Sequence, residues 1–217
     1  MRLAHYVEHT LLRADATPEQ VEHLCMDAVE HGLFAVCVSP LYVTSARRWV
    51  GDTVGVVTVA GFPLGTSTSA TKAEEARRAV LDGATEVDMV MAIGLARSGD
   101  WAAVRGEVLA VRQAVPEAVL KVILETGYFE ESAIRRAAEV AVDAGANFLK
   151  TSTGFGPRGA TVEDVRLLGD VAAGRAGVKA AGGIRTADQA RAMIEAGATR
   201  IGTSNGVEIA AWSPSRA

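Results

Sequence analysis

Four lysines stand in this chain against eighteen arginines: Lys72, Lys121, Lys150 and Lys179. Arginine stays protonated, whereas a buried lysine can shed its proton and attack a carbonyl carbon. A sequence that writes Arg wherever a cation suffices draws attention to each Lys it keeps. Lys150 and Lys179 sit at the ends of short apolar runs in NFLKTSTGFG and AGVKAAGGIRT, which lead into Thr-, Ser- and Gly-rich segments. That is the pattern of a Schiff-base enzyme built on parallel strands. An arginine-rich genome with a few leftover lysines would give the same count. For an ordinary lysine, with pKa about 10.4, only ~0.04% is free amine at pH 7. A depression of about three units would raise that fraction near a thousandfold, at about 4 kcal/mol of differential stabilisation. Burial together with a neighbouring ammonium can supply it.

Other polar residues interrupt apolar runs. Asp88 lies between Val87 and Met89 in TEVDMVM, and Lys121 and Glu125 flank VIL. A charge inside a strand is expensive to desolvate unless it is paired. Lys121 and Glu125 read as an interior ion pair that only fixes the core. Asp88, Lys150 and Lys179 together read as catalytic.

Glycine-rich segments follow the late strands. Ala181-Gly182-Gly183-Ile184-Arg185 and Ile201-Gly202-Thr203-Ser204-Asn205 let backbone N–H groups approach a phosphate at a short helix N-terminus. The run from Gly154 to Gly159 formally matches G-x-G-x-x-G. The acidic residue that a dinucleotide site wants about 20 positions on is not evident, so that reading is weak. His5 and His9 fall in a predicted strand without an H-E-x-x-H pattern, which argues against a metal site. His23 and His31 read as solvent-facing helix residues, and Cys37 as a small buried hydrophobe near the site.

These residues need a frame. Apolar, β-rich runs at 5–11, 33–38, 54–60, 85–91, 119–125, 146–151, 177–181 and 200–203 predict eight strands. Helical patterns fill 17–31, 41–49, 70–82, 96–114, 130–144, 161–173 and 186–196, with a short one from Asn205. Alternation of this kind implies parallel pairing. Gly32, Gly83, Gly145 and Gly197 fit the left-handed residue that closes a helix before the next strand. Eight βα units without a linker predict one domain over residues 1–217, a (β/α)8 TIM barrel of the α/β class. An open doubly wound sheet is the alternative.

Composition narrows the function. The chain has 217 residues, 49% hydrophobic, 5% aromatic, with net charge −4. No global basic field draws nucleic acid or an anionic membrane. No apolar run reaches the ~18 residues of a membrane span. Cys25 and Cys37 form neither a disulfide framework nor a C-x-x-C pair, so a reducing, cytoplasmic location is expected.

With these segments in hand, the chain resembles the deoxyribose-phosphate aldolase family, the acetaldehyde-dependent class I aldolases. The matching segments are EHTLLRADAT, VCVSP, VAGFPLGTSTSATKAEEA, GATEVDMV, LKVILET, GANFLKTSTGFGPRGAT, VKAAGGIRT and RIGTSNG, in that order. The resemblance implies a TIM barrel that needs no metal or organic cofactor. It implies reversible cleavage of 2-deoxy-D-ribose 5-phosphate to D-glyceraldehyde 3-phosphate and acetaldehyde. Lys150 would be the Schiff-base lysine, Lys179 the second lysine that perturbs it and aids proton transfer, and Asp88 a proton donor and acceptor. Gly154, Gly182, Gly183, Gly202 and Ser204 would hold the phosphate. Partners would be small phosphorylated sugars and aldehydes, and a homodimer is compatible with the family.

The chain departs from the family pattern at Glu8, where Asp is common, and at Ser39, Ala92 and Asn205. Its tail, NGVEIAAWSPSRA, lacks the terminal Tyr of some relatives, and Pro214 leaves a short last helix. These departures bear on rate and substrate range. The rivals are a phosphate-gripping isomerase without a covalent intermediate and a sugar-phosphate binding protein without turnover.

Overall fold

The computed structural model describes residues 2–212. Eight parallel strands close a barrel in sequence order: β1 Val7–Leu11, β2 Ala35–Val38, β3 Gly55–Ala60, β4 Glu86–Val90, β5 Val119–Ile123, β6 Phe148–Lys150, β7 Gly177–Ala181 and β8 Arg200–Thr203. Closure comes from β1 pairing β8, with Glu8 opposite Gly202. Helices between the strands are α1 Pro18–Glu30, α2 Val43–Val50, α3 Ser69–Leu81, α4 Ile93–Arg97, α5 Trp101–Ala114, α6 Glu131–Asp143, α7 Val162–Ala172 and α8 Ala187–Glu195, and α9 Gly206–Ala210 follows β8. The predicted (β/α)8 TIM barrel is the fold observed.

Local chemistry sets the helix ends. Thr17 and Gln20 form a reciprocal capping box on α1, with Pro18 as the first helical residue. Thr186 and Gln189 do the same for α8. Gly32, Gly83, Gly145 and Gly197 all adopt positive φ, at 59°, 111°, 93° and 114°, as the helix-closing role requires.

Several element ends shift by a residue or two, and two differences from expectation are informative. The predicted helix over 96–114 is broken: Gly99 turns with φ 79°, and Asp100 restarts the chain as the N-cap of α5, its carboxylate accepting the Ala103 N–H at 3.0 Å. The Ser-Gly-Asp sequence is a breaker that apolar periodicity alone conceals. At the start of the chain, residues Leu3–Tyr6 form a 3-10 turn, so His5 lies outside β1 while His9 lies within it. The short last helix is observed as α9, and residues 213–217, Pro214 among them, lie outside the described residues.

Strand alternation divides the side chains. Val87 and Met89 of β4 point outward into the helical shell, with Leu120, Val122, Leu149 and Ile201 from other strands. Each such large apolar side chain stabilises the barrel by about 1.5–3 kcal/mol. The inward residues split into two halves. On β2 and β3 they are apolar: Ala35, Cys37, Val57 and Val59. On β1, β4, β5, β6 and β7 they are ionic: Glu8, Asp88, Lys121, Lys150 and Lys179.

Candidate active site

The ionic half is built by register. Lys150 and Lys179 are direct partners across β6 and β7, and Asp88 faces Lys121 across β4 and β5. Four side chains thus project into one layer of a closed barrel. Asp88 lies at its centre. Its Oδ2 accepts from Lys150 Nζ at 2.8 Å and from Lys179 Nζ at 2.6 Å, and its Oδ1 accepts from Lys121 Nζ at 2.8 Å. Lys179 also donates to Glu8, and Lys121 lies 2.5 Å from Glu86. All of these side chains are buried.

The charges do not balance if every lysine is protonated. The carboxylates are Glu8, Glu86 and Asp88; the cations are Lys121, Lys179, Lys150 and Arg200, whose Nε lies 3.9 Å from Glu8. With Lys150 as a neutral amine, three acids face three cations. The local environments agree. Burial pulls the Lys150 pKa down; Asp88 opposes this and the ammonium of Lys179 adds to it, so the net direction is downward. Burial also disfavours charge on Lys179, but Asp88 and Glu8 outweigh it, and Lys179 is raised well above its ordinary value. Lys121 is raised for the same reason, with Asp88 its main support. Burial would push the Asp88 carboxyl up, yet Lys121, Lys150 and Lys179 together hold it well below the usual carboxylate range. Two chemically identical side chains, side by side, are thus driven apart in basicity by their acidic neighbours.

Above this layer a cavity of about 550 Å³ opens at the C-terminal end of the strands. Lys150 reaches its wall, whereas Asp88 and Lys179 lie beneath. Gly154, Gly182, Gly183, Gly202 and Ser204 line it with Lys150, so all the predicted glycine-site residues converge there. Among the described residues, the N–H groups of Gly154, Gly182, Gly183 and Ser204 have no backbone acceptor. Arg13 and Arg185 stand at the same cavity. Free N–H groups with two guanidiniums suit a bound anion.

Gly202 has a second role. A Cβ there would lie 3.1 Å from Lys179 Cε and 3.0 Å from Ala181 Cβ, so the glycine makes room for the lysine. The G-x-G-x-x-G run is explained by packing. A Cβ at Gly159 would meet the Gly182 carbonyl oxygen at 2.1 Å, and one at Gly156 would meet Glu125 Cδ at 2.7 Å.

One pairing is corrected. Lys121 and Glu125 do not form an ion pair. Glu125 lies beyond the end of β5 at Ile123 and has a left-handed backbone, so strand alternation does not carry its side chain to Lys121. Lys121 instead joins Asp88, Glu86 and Glu8, and Glu125 turns to Thr153. Glu8 is the site residue that the sequence hid best. It is 171 positions from Lys179. The inward alternation of Val7-Glu8-His9 is the signal that points to it.

Cys37 is buried beside the lysines; burial pushes its thiol up, which keeps it protonated and inert. His23 and His31 are exposed, as expected. No cluster of three or more metal-ligating side chains occurs among the described residues, and no helix there is long and apolar enough to cross a membrane.

Known proteins with this architecture place the chain. A model described as DeoC/LacD family aldolase matches residues 3–211. The deoxyribose-phosphate aldolase of Deinococcus radiodurans is 58% identical over 208 residues, covering 95% of this chain and 94% of that protein. A deoxyribose-phosphate aldolase of Thermus thermophilus is 54% identical over 212 residues, covering 97% and 96%. Among solved structures, the aldolase QR15 superposes with TM-score 0.93 at 43% identity, covering 96% of this chain and 94% of that one. The deoxyribose-phosphate aldolase of Aeropyrum pernix, described as tetrameric, superposes with TM-score 0.88 at 34% identity, covering 96% and 89%. The chain therefore belongs to the DeoC/LacD family of aldolases, among the deoxyribose-phosphate aldolases, and is a carbon–carbon lyase.

Proposed function

We propose that the protein is a class I aldolase that reversibly cleaves 2-deoxy-D-ribose 5-phosphate to D-glyceraldehyde 3-phosphate and acetaldehyde. The observation that carries this reading is Lys150: a buried amine of lowered basicity, at the floor of an anion-ready cavity, beside a lysine of raised basicity. The names of the relatives give the substrate class. The family match over 3–211 supports taking residues 1–217 as one aldolase domain.

In this reading the neutral Nζ of Lys150 attacks C1 of the open-chain sugar. The carbinolamine loses water to form an iminium. The C3 hydroxyl then gives up its proton, C3 becomes a carbonyl, and the C2–C3 bond breaks with its electron pair drawn into the iminium as an enamine. Glyceraldehyde 3-phosphate leaves with C3 to C5. Protonation of the enamine at C2 and hydrolysis release acetaldehyde and restore the amine.

Lys179 keeps its proton through Glu8 and Asp88 and is the fixed positive charge beside the iminium. Asp88 lies behind Lys150, so protons it exchanges with the sugar pass along Lys150 or a water admitted with substrate. Gly154, Gly182, Gly183, Gly202 and Ser204 hold the phosphate, whose binding energy fixes the reacting carbons over Lys150. The test is a product assay. 2-Deoxyribose 5-phosphate should yield equal amounts of glyceraldehyde 3-phosphate and acetaldehyde; isomerised sugar phosphate, or binding without turnover, would overturn the reading.

A further inference from the structure

Glu125 carries two costs. It is 1% exposed, and all the hydrogen bonds described for its carboxylate come from Thr153 rather than from a cation. A buried carboxylate without a counter-charge is expensive. Its backbone is also left-handed, at φ 50° and ψ 58°, which costs a residue with a side chain about 1–2 kcal/mol. Strain and uncompensated charge at one residue beside a substrate cavity point to a functional constraint.

The contacts show what the residue holds. The Thr153 N–H donates to both carboxylate oxygens, at 3.3 and 3.2 Å, and the Thr153 hydroxyl donates to Oε2. That hydroxyl has one proton. With it committed to Glu125, its oxygen accepts the Phe155 N–H at 3.0 Å. Residues 153–155 are thereby wound around the carboxylate. From the far side Gly156 closes on it so tightly that a Cβ would lie 2.7 Å from Glu125 Cδ. Thr153, Gly154 and Phe155 form one wall of the cavity above Lys150. Within this turn Gly154 keeps an N–H free of any backbone acceptor.

We infer that Glu125 is a positioning residue that shapes the 153–156 turn, aims the Gly154 N–H at the substrate phosphate, and so sets the preference for phosphorylated over free sugar. The inference rests on the substrate assignment proposed above. It asks of Glu125 shape and hydrogen-bond acceptance, not proton transfer. Glutamine keeps one side-chain oxygen and the same length, so it should preserve most of the turn; alanine removes the brace.

The experiment compares kcat/KM for 2-deoxyribose 5-phosphate and for 2-deoxyribose in the full-length wild type, Glu125→Ala and Glu125→Gln. In Glu125→Ala the ratio of the two should fall at least about tenfold, through a raised KM for the phosphorylated sugar, since misplacement by about 1 Å can cost that much or more. Activity on the free sugar should stay within about twofold. Glu125→Gln should retain most of the preference. An unchanged ratio, an equal loss on both sugars, or a Gln variant as impaired as Ala would overturn the positioning role. Gly156→Ala pushes on the same carboxylate from the opposite side and should give the same selective loss, which answers the question if Glu125→Ala does not fold. A wild type indifferent to the phosphate would overturn the substrate assignment itself, an outcome separate from a wild type that prefers phosphate and variants that still do.

Discussion

The division of labour between Lys150 and Lys179 comes from their neighbours, not from their type. Both are buried lysines on adjacent strands. Lys179 has Glu8 as well as Asp88, and Lys150 has Asp88 alone. Removing Lys179 takes away the ammonium that depresses Lys150 and leaves Asp88 to share fewer cations. The basicity of Lys150 should therefore rise. Lys179→Leu should lose activity on the order of a hundredfold at pH 7, if about two pKa units of the Lys150 depression come from this neighbour. Part of the loss should return as pH increases and Lys150 deprotonates. A packing role alone predicts a lower Tm and a pH profile of unchanged shape, so kcat/KM against pH in the two proteins decides between them. Lys150, Lys179 and Asp88 are legible in the sequence because a charge inside an apolar strand has few structural uses. Glu8 and Glu125 are not, because their partners are set by closure of the barrel and by a loop turn rather than by local spacing.

Elements, more than individual residues, are readable. Continuously apolar runs mark strands buried on both faces, and Gly32, Gly83, Gly145 and Gly197, with positive φ, mark where α1, α3, α6 and α8 end. What escapes is geometry across elements. The Ser-Gly-Asp break between α4 and α5 lies inside an unbroken apolar rhythm. Spacing along one strand matches Lys121 to Glu125, whereas a barrel pairs it sideways with Asp88 on β4. The same sideways logic governs Gly202 on β8, which the sequence offers only as a phosphate glycine. Gly202→Ala should overpack against Lys179 and Ala181, lowering stability by about 1–3 kcal/mol and activity together. A Gly202→Ala protein with wild-type Tm and kcat would show that this close approach carries no consequence.

At the scale of the molecule, the barrel encloses an ion cluster that most cores avoid. Its pH response follows from the directions of the shifts. Asp88 is held well below the usual carboxylate range by three lysines that outweigh burial. A depressed acid contributes stability above its unfolded pKa, about 4, and loses it as pH falls through the folded value. Wild-type Tm should thus drop on acidification below about pH 4. Asp88→Asn leaves the cluster one acid short of its cations and should cost about 3–5 kcal/mol at neutral pH. Having no such acid to titrate, the variant should lose less on further acidification. Parallel Tm curves for the two proteins between neutral and acid pH would contradict a buried, charged Asp88.

The proposed chemistry depends on Lys150 as the nucleophile, and a covalent trap reads that out. The enzyme is incubated with acetaldehyde and borohydride, then digested and mapped by mass spectrometry. Reduction of the imine should leave an ethyl group on Lys150, with loss of activity in proportion to labelling. A label confined to Lys121, Lys179 or another amine, or an active enzyme that takes up no label at all, would contradict the Schiff base at Lys150.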